Sequence, residues 1–145
     1  MEGTCLCGAV RVEVKDDNLF GGQRRGHVCH CTNCRKTAGT AAATNLLIES
    51  DKVVLSGEHN LKEYIDTQTL SGTPLSRYFC FTCGNPIKSV TSLYPGKVIL
   101  KLGIFPKIPV PEWESFASQR QSWEKPIDGC VQYKTKSLGE ELKIE

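Results

Sequence analysis

Cys80-Phe81-Thr82-Cys83-Gly84-Asn85-Pro86 is the stretch that decides how this chain folds. A redox C-x2-C would open a helix in a βαβ setting. Here Gly-Asn-Pro follows, which reads as a turn between two strands, Ser76 to Cys80 before it and Pro86 to Val90 after it. Cysteines this close in sequence bond poorly to each other but converge readily on one ion. A matching pair, Cys5-Leu6-Cys7-Gly8, leads a strand near the N-terminus. Four thiolates from two distant segments, Cys5, Cys7, Cys80 and Cys83, make a tetrahedral S4 set, the closed arrangement of structural zinc. The glycine after each pair lets the backbone turn so that its amides can face the sulfurs. Such an ion would tie the two ends of a sheet together, and structural zinc contributes roughly 10 kcal/mol or more to the folding of small domains.

Outward from these turns the chain reads mainly as short strands. Val10, Val12 and Val14 alternate with Arg11, Glu13 and Lys15, the pattern of a half-buried strand. Ala41 to Ile48 is a largely apolar run, Lys52 to Leu55 is another, and Leu61 to Ile65 and Lys97 to Ile104 are further strands. Two short helices are expected. Thr32 to Ala38 ends at Gly39, a glycine stop, and Pro111 to Arg120 has a proline near its start. The expected fold is therefore mainly β, with metal turns fixing the strand ends.

The second cysteine group is Cys29-His30-Cys31-Thr32-Asn33-Cys34. A C-x-C-x2-C run can put three sulfurs on one ion. Three protein ligands and an exchangeable fourth position is the pattern of a catalytic zinc. The positive end of a helix starting near Thr32 would help hold Cys31 and Cys34 as thiolates. Three thiolates leave the site with a net negative charge, which suits a soft fourth ligand such as a substrate thiol. Arg35 and Lys36 stand next in sequence to offset that charge. If Cys29 to Cys31 is extended, His30 points away from both cysteines. His27 or Cys130 as a fourth ligand would instead close the site and make it structural.

Composition bounds the rest. The chain has 145 residues, 39% hydrophobic and 23% charged, as in one globular domain with a real core. Lys plus Arg is 18 against 16 for Asp plus Glu, a net charge of +2, which gives no pull toward nucleic acid or membrane surfaces. No apolar run approaches the roughly 18 residues that span a bilayer. Met1-Glu2-Gly3-Thr4-Cys5 lacks the basic and apolar segments of a secretory leader. Eight cysteines without such a leader point to thiol chemistry in a reducing compartment, the cytoplasm or the nucleus. Residues 1–135 are expected to form a single domain and 136–145 a fraying tail.

The order of motifs is G-x-C-x-C-G at Gly3 to Gly8, C-H-C-x2-C-R-K-x2-G at Cys29 to Gly39, and F-C-x2-C-G at Phe79 to Gly84. With Trp123-x2-Pro126, this set resembles the glutathione-dependent formaldehyde-activating enzyme family, also called the centromere protein V family, and is similar to its fungal members. The resemblance implies a tent-like zinc fold of two or three antiparallel sheets. It assigns Cys5, Cys7, Cys80 and Cys83 to a structural zinc and Cys29, Cys31 and Cys34 to a catalytic one. The implied activity is that of a carbon–sulfur lyase or adduct-forming enzyme joining glutathione, a small-molecule thiol, to an aldehyde or other electrophile. Two alternatives stand beside it. The same zinc could polarise a carbonyl of a secondary metabolite for elimination or rearrangement, or the domain could be a non-enzymatic zinc module.

Glutathione carries two carboxylates, so cations near the second site matter. Arg24, Arg25, Arg35, Lys36, Arg77 and Arg120 are candidates, Arg35 first because it directly follows the third thiolate. Glu112, Glu114, His27, His30 and Tyr78 could move a proton. Trp113, Phe116 and Trp123 are candidate pocket walls, while Phe79 and Phe81 are expected to pack round the structural site.

Overall fold

The computed structural model describes residues 1–21 and 26–143; the candidate cations Arg24 and Arg25 lie outside the described residues. The strands run β1 (Glu2–Thr4), β2 (Arg11–Val14), β3 (Gly26–Cys29), β4 (Ala43–Glu49), β5 (Val53–Ser56), β6 (Leu61–Asp66), β7 (Leu75–Cys80), β8 (Pro86–Val90), β9 (Lys97–Lys101), β10 (Pro111–Ser115) and β11 (Val131–Gln132). Among the described residues there is one α-helix, α1 (Thr32–Ala38), which joins β3 to β4. The strands make two sheets. A three-stranded antiparallel sheet has the order β1-β2-β5, and an eight-stranded one has the order β11-β10-β3-β4-β9-β8-β7-β6. The mainly-β expectation holds.

The core forms where the small sheet covers one face of the large one. Val10, Val12 and Val14 from the β2 segment meet Leu46 and Ile48 of β4 and Val98 and Leu100 of β9, all buried. Alternation then decides the opposite face: Asn45 of β4 and Ile99 and Lys101 of β9 point away from this core, and His27 and Cys29 of β3 share their side. Gly3 is needed where β1 passes the chain after β9, since a Cβ there would lie 2.5 Å from Ile104 O and 2.7 Å from the Phe105 ring.

Two differences from the sequence reading bear on the site. Pro111–Ser115 is a strand, not a helix, and it pairs in parallel with both β3 and β11, so the large sheet is mixed. Its Pro111 stands first in the strand, where a missing N–H is tolerated. Only a single turn of 3-10 helix, Ala117–Gln119, follows it. Residues 136–143, expected to fray, fold back on the sheet. Trp113 Nε1 donates to Ser137 Oγ at 2.8 Å, and Leu142 N–H donates to Gln132 O at 2.6 Å. Among the described residues no helix is long and apolar enough to cross a membrane.

Candidate metal centres and the cavity beside them

The two cysteine turns are built alike. Gly8 and Gly84 both adopt left-handed backbone (φ 80° and 75°), and each donates its N–H to the carbonyl of the first cysteine of its pair, at 3.0 and 2.8 Å. The following amides, of Ala9 and Asn85, then face Cys7 and Cys83. Val10 N–H donates to Cys5 Sγ at 3.3 Å, and Asn60 Nδ2 donates to Cys80 Sγ at 3.1 Å. Cys5 and Cys7 sulfurs stand 3.6 Å apart, and those of Cys7 and Cys80 3.7 Å apart. A tetrahedron with metal–sulfur bonds of about 2.3 Å has edges of about 3.8 Å, so these thiols fit a single ion. All four lie within 4.8 Å of one another. Phe79 is half-buried beside them, but Phe81 projects into solvent at 70% exposure and packs nothing round the site.

The second set gathers Cys29 from the end of β3 and Cys31 and Cys34 from the start of α1, their sulfurs also within 4.8 Å of one another. Cys31 caps the helix, its Sγ accepting Cys34 N–H at 3.3 Å. Gly39 ends it in left-handed backbone (φ 65°), as its place in the sequence suggests. Hydrogen bonds from the Cys29 and Cys31 thiols, helped by the charges of Lys101 and Arg77, hold Cys34 well below the usual thiol range against the opposing effect of burial. Among the described residues no His, Asp, Glu or further Cys joins this set. His30 points away, as extended backbone requires, with Nε2 2.7 Å from Glu114 Oε1. Cys130 donates instead to Pro111 O at 3.1 Å.

A cavity of about 100 Å³ opens beside the three thiols. Its floor is the sheet face opposite the core: His27 and Cys29 of β3, Asn45 of β4, Lys101 of β9 and Arg77 of β7. Phe116 packs against the cysteines in left-handed backbone (φ 53°), rare for a bulky side chain, and its N–H is tied to Thr135 O at 2.6 Å. Lys101 Nζ donates to Asn45 Oδ1 at 3.0 Å. The Arg77 guanidinium is buried between Asp66 and Cys34, with Nη1 4.0 Å from Cys34 Sγ. Asp66 also accepts from Asn33 Nδ2 of α1 at 3.0 Å, which ties the cysteine-bearing helix to the far strands of the sheet. His27 stacks on Trp113, rings 5.0 Å apart and 4° from parallel. Burial, with the Lys101 charge adding, pushes His27 down to about 4, so it is neutral.

Several candidate residues lie elsewhere. Arg35 does not line the cavity; its Nη2 reaches Thr32 Oγ1 at 3.5 Å. Arg120 and Glu114 belong to a buried cluster with His30 and Gln132 on the other face of β10. Glu112 and Tyr78 are not among the lining residues, and Trp123 is 73% exposed. Sequence reasoning missed Lys101 and Asn45. Both sit in strands that become neighbours only through the β4–β9 pairing, and alternation along Lys97–Lys101 was the one signal that could have placed Lys101.

A mainly-β chain with four thiols close enough to share one ion, and three more beside a cavity, defines a class of proteins whose cysteine sets could hold metal ions. Within that class this chain belongs to the family described as glutathione-dependent formaldehyde-activating enzyme, whose model matches residues 1–125. It is 36% identical over 91 residues to a Halomonas elongata protein named "Putative glutathione-dependent formaldehyde-activating enzyme", a match covering 60% of this chain and 54% of that one. The chain thus spans about half the length of this curated relative. A crystal structure of a Rhodobacter sphaeroides protein is similar in fold, with a TM-score of 0.57 and 28% identity over 74% of this chain and 90% of the other.

Proposed function

We propose that the protein is a zinc-dependent carbon–sulfur lyase, making and breaking the bond between a glutathione-like thiol and the carbon of an aldehyde or similar electrophile. The carrying observation is that Cys29, Cys31 and Cys34 converge at a cavity wall without a fourth protein ligand among the described residues. On this reading Cys5, Cys7, Cys80 and Cys83 hold a second zinc that only stabilises the fold. A zinc ion on the three thiolates would supply a soft Lewis acid with one position open to a substrate sulfur or oxygen.

In the forward direction the thiol S–H bond breaks and an S–C bond forms at the carbonyl carbon. The C=O double bond becomes single, and the proton ends on that oxygen as a hydroxyl. The reverse step releases both partners, with no net oxidation. The chain's own residues orient and neutralise. Arg77 and Lys101 offset the thiolate charge, since each is drawn electrostatically to Cys34. Neutral His27 can accept a hydrogen bond from the adduct's hydroxyl, because its buried Nδ1 has no partner in the protein. Lys136 lines the rim and is exposed, so it can meet a substrate carboxylate, whereas Arg77 and Lys101 are already engaged. In this assignment Arg77 and Lys101 take the part that sequence proximity gave to Arg35.

Calorimetric titration of the zinc-loaded protein with glutathione tests the reading. Binding heat at millimolar or lower concentration is expected for wild type and not for Cys34→Ser. Equal heats from both would detach thiol binding from the three-cysteine site.

A further inference from the structure

We infer that the carbon partner in the substrate is an apolar group, larger than formaldehyde, seated against Leu75, Ile99, Leu93, Tyr94 and Leu70. This rests on the thiol-conjugate reading above and adds to it the class of electrophile. Formaldehyde has no hydrocarbon surface, so an apolar wall gives it nothing.

The wall is laid out by strand alternation. Leu75 stands two residues before Arg77 on β7, and Ile99 two residues before Lys101 on β9, all four lining the same cavity. One pleat of a strand is about 7 Å along its length, so the apolar side chains begin one step beyond the two cations that face the thiols. Leu93 and Tyr94, from the turn between β8 and β9, and Leu70, from the loop between β6 and β7, complete that end. Leu70 is 61% exposed and Leu93 39% exposed, large apolar side chains left partly in water at the mouth of a cavity.

Polar residues line the same end, but several of their hydrogen-bonding groups are already engaged. Thr69 Oγ1 donates to Thr73 O at 2.7 Å, and Ser71 Oγ accepts Thr73 N–H at 3.3 Å. Thr91 Oγ1 accepts Leu93 N–H at 3.3 Å, and Ser137 Oγ accepts from Trp113 Nε1. Asn33 Nδ2 donates to Asp66 and to Gln68 O. Donors and acceptors used inside the protein leave methyl and methylene surface as what a ligand meets. A binding site of apolar walls with a few placed polar groups at one end suits a conjugate whose thiol part is polar and whose other part is hydrocarbon.

The experiment is a ligand series on the zinc-loaded full chain: S-methyl-, S-ethyl-, S-propyl- and S-butylglutathione, stable analogues of an adduct, with affinity read by calorimetry. Burial of each added methylene should tighten binding roughly three- to fourfold, so S-butyl should exceed S-methyl by at least about tenfold. Leu70→Ser and Leu93→Ser, at partly exposed positions outside the core, should flatten the series, so that S-butyl exceeds S-methyl by much less than in wild type. Equal affinity across the wild-type series overturns the apolar-electrophile inference and leaves the thiol reading standing. Binding of none of the four, together with no heat from glutathione itself, overturns the thiol reading and this inference with it.

Discussion

Two nitrogens of Arg77 close on one oxygen of Asp66, Oδ2, at 2.9 Å from Nε and 2.8 Å from Nη2, while Nη1 stands 4.0 Å from Cys34 Sγ. The pair is buried, and Asp66 is further held by Asn33 and by Gln68 N–H. Burial alone would raise the Asp66 carboxyl, but Arg77 and Asn33 outweigh it and hold it below the ordinary carboxylate value. Asp66 therefore fixes a guanidinium that faces the three-thiol set.

Removing the guanidinium should separate two effects. Arg77→Gln leaves a buried carboxylate unpaired and should cost about 3 kcal/mol or more of stability. Arg77→Gln combined with Asp66→Asn should recover most of that loss. Both proteins should still release metal from the second set faster, roughly tenfold, because a positive charge near the thiolates is gone. Chelator-driven zinc release followed by absorbance reads this directly. A double variant with wild-type release kinetics would show that the pair only holds the sheet together.

The two cysteine sets should respond differently to loss of one thiol. Cys34→Ser is expected to lower zinc content from two ions per chain to about one and keep the fold. Cys80→Ser removes a buried thiol that shares its cluster with a sulfur 3.7 Å away and accepts from Asn60. Roughly 10 kcal/mol of folding free energy from a structural zinc exceeds what a small domain has to spare, so Cys80→Ser should be unfolded or insoluble. Metal analysis with circular dichroism on both variants decides it. Loss of both ions and of the fold in Cys34→Ser would reject the division into a structural and an open site.

What the sequence made legible follows from how local each cause is. Thiol spacing in Cys5–Cys7, Cys29–Cys34 and Cys80–Cys83 is a local requirement of metal geometry, so the groups were visible before any strand was placed. The helix from Thr32 was equally local, with Gly39 to stop it. Pro111–Ser115 was not, because a short stretch with proline first and tryptophan in the middle suits a helix start or a strand. Parallel pairing with β3, more than eighty residues earlier, chose the strand. The ranking of the cavity cations failed for the same reason: Arg77 stood among the candidates behind Arg35, and Lys101 was not among them. Arg35 follows Cys34 in sequence, yet the helix turns it away, while Lys101 and Arg77 arrive from strands whose neighbours are set by the whole sheet.

Gly3, the first residue of the leading motif, has a structural reason to be glycine. A Cβ would press on the backbone oxygen of Ile104 at 2.5 Å, closer than real contacts allow, and on Phe105. Gly3→Ala should therefore push β1 off the chain after β9 and loosen the turn that carries Cys5 and Cys7, at a cost of about 2 kcal/mol or more. Urea melts of the zinc-loaded proteins, with zinc release from the first set, would show it. Unchanged stability would mean that β1 has room the geometry denies.

Glu114 should make stability depend on acid. It is 1% exposed and accepts from Ile127 N–H at 2.8 Å and from Gln132 Nε2 at 2.5 Å, with His30 Nε2 at 2.7 Å and Arg120 Nη2 at 3.4 Å. Burial pushes its carboxyl up, but the Ile127 amide, His30, Gln132 and Arg120 together hold it below the ordinary value of 4.5. A depressed folded value means the unfolded chain binds the proton first as pH falls. The stabilisation is therefore complete above about pH 5 and is lost as pH drops through 4.5 toward the lower folded value. Glu114→Gln should cost about 3 kcal/mol at pH 7, and the gap to wild type should shrink below pH 4.5. Both proteins carry the same thiol sets, so acid loss of metal cancels in the comparison. A gap that stays constant from neutral pH into acid, measured by urea melts at each pH, would mean that the carboxylate's charge is not what separates the two proteins.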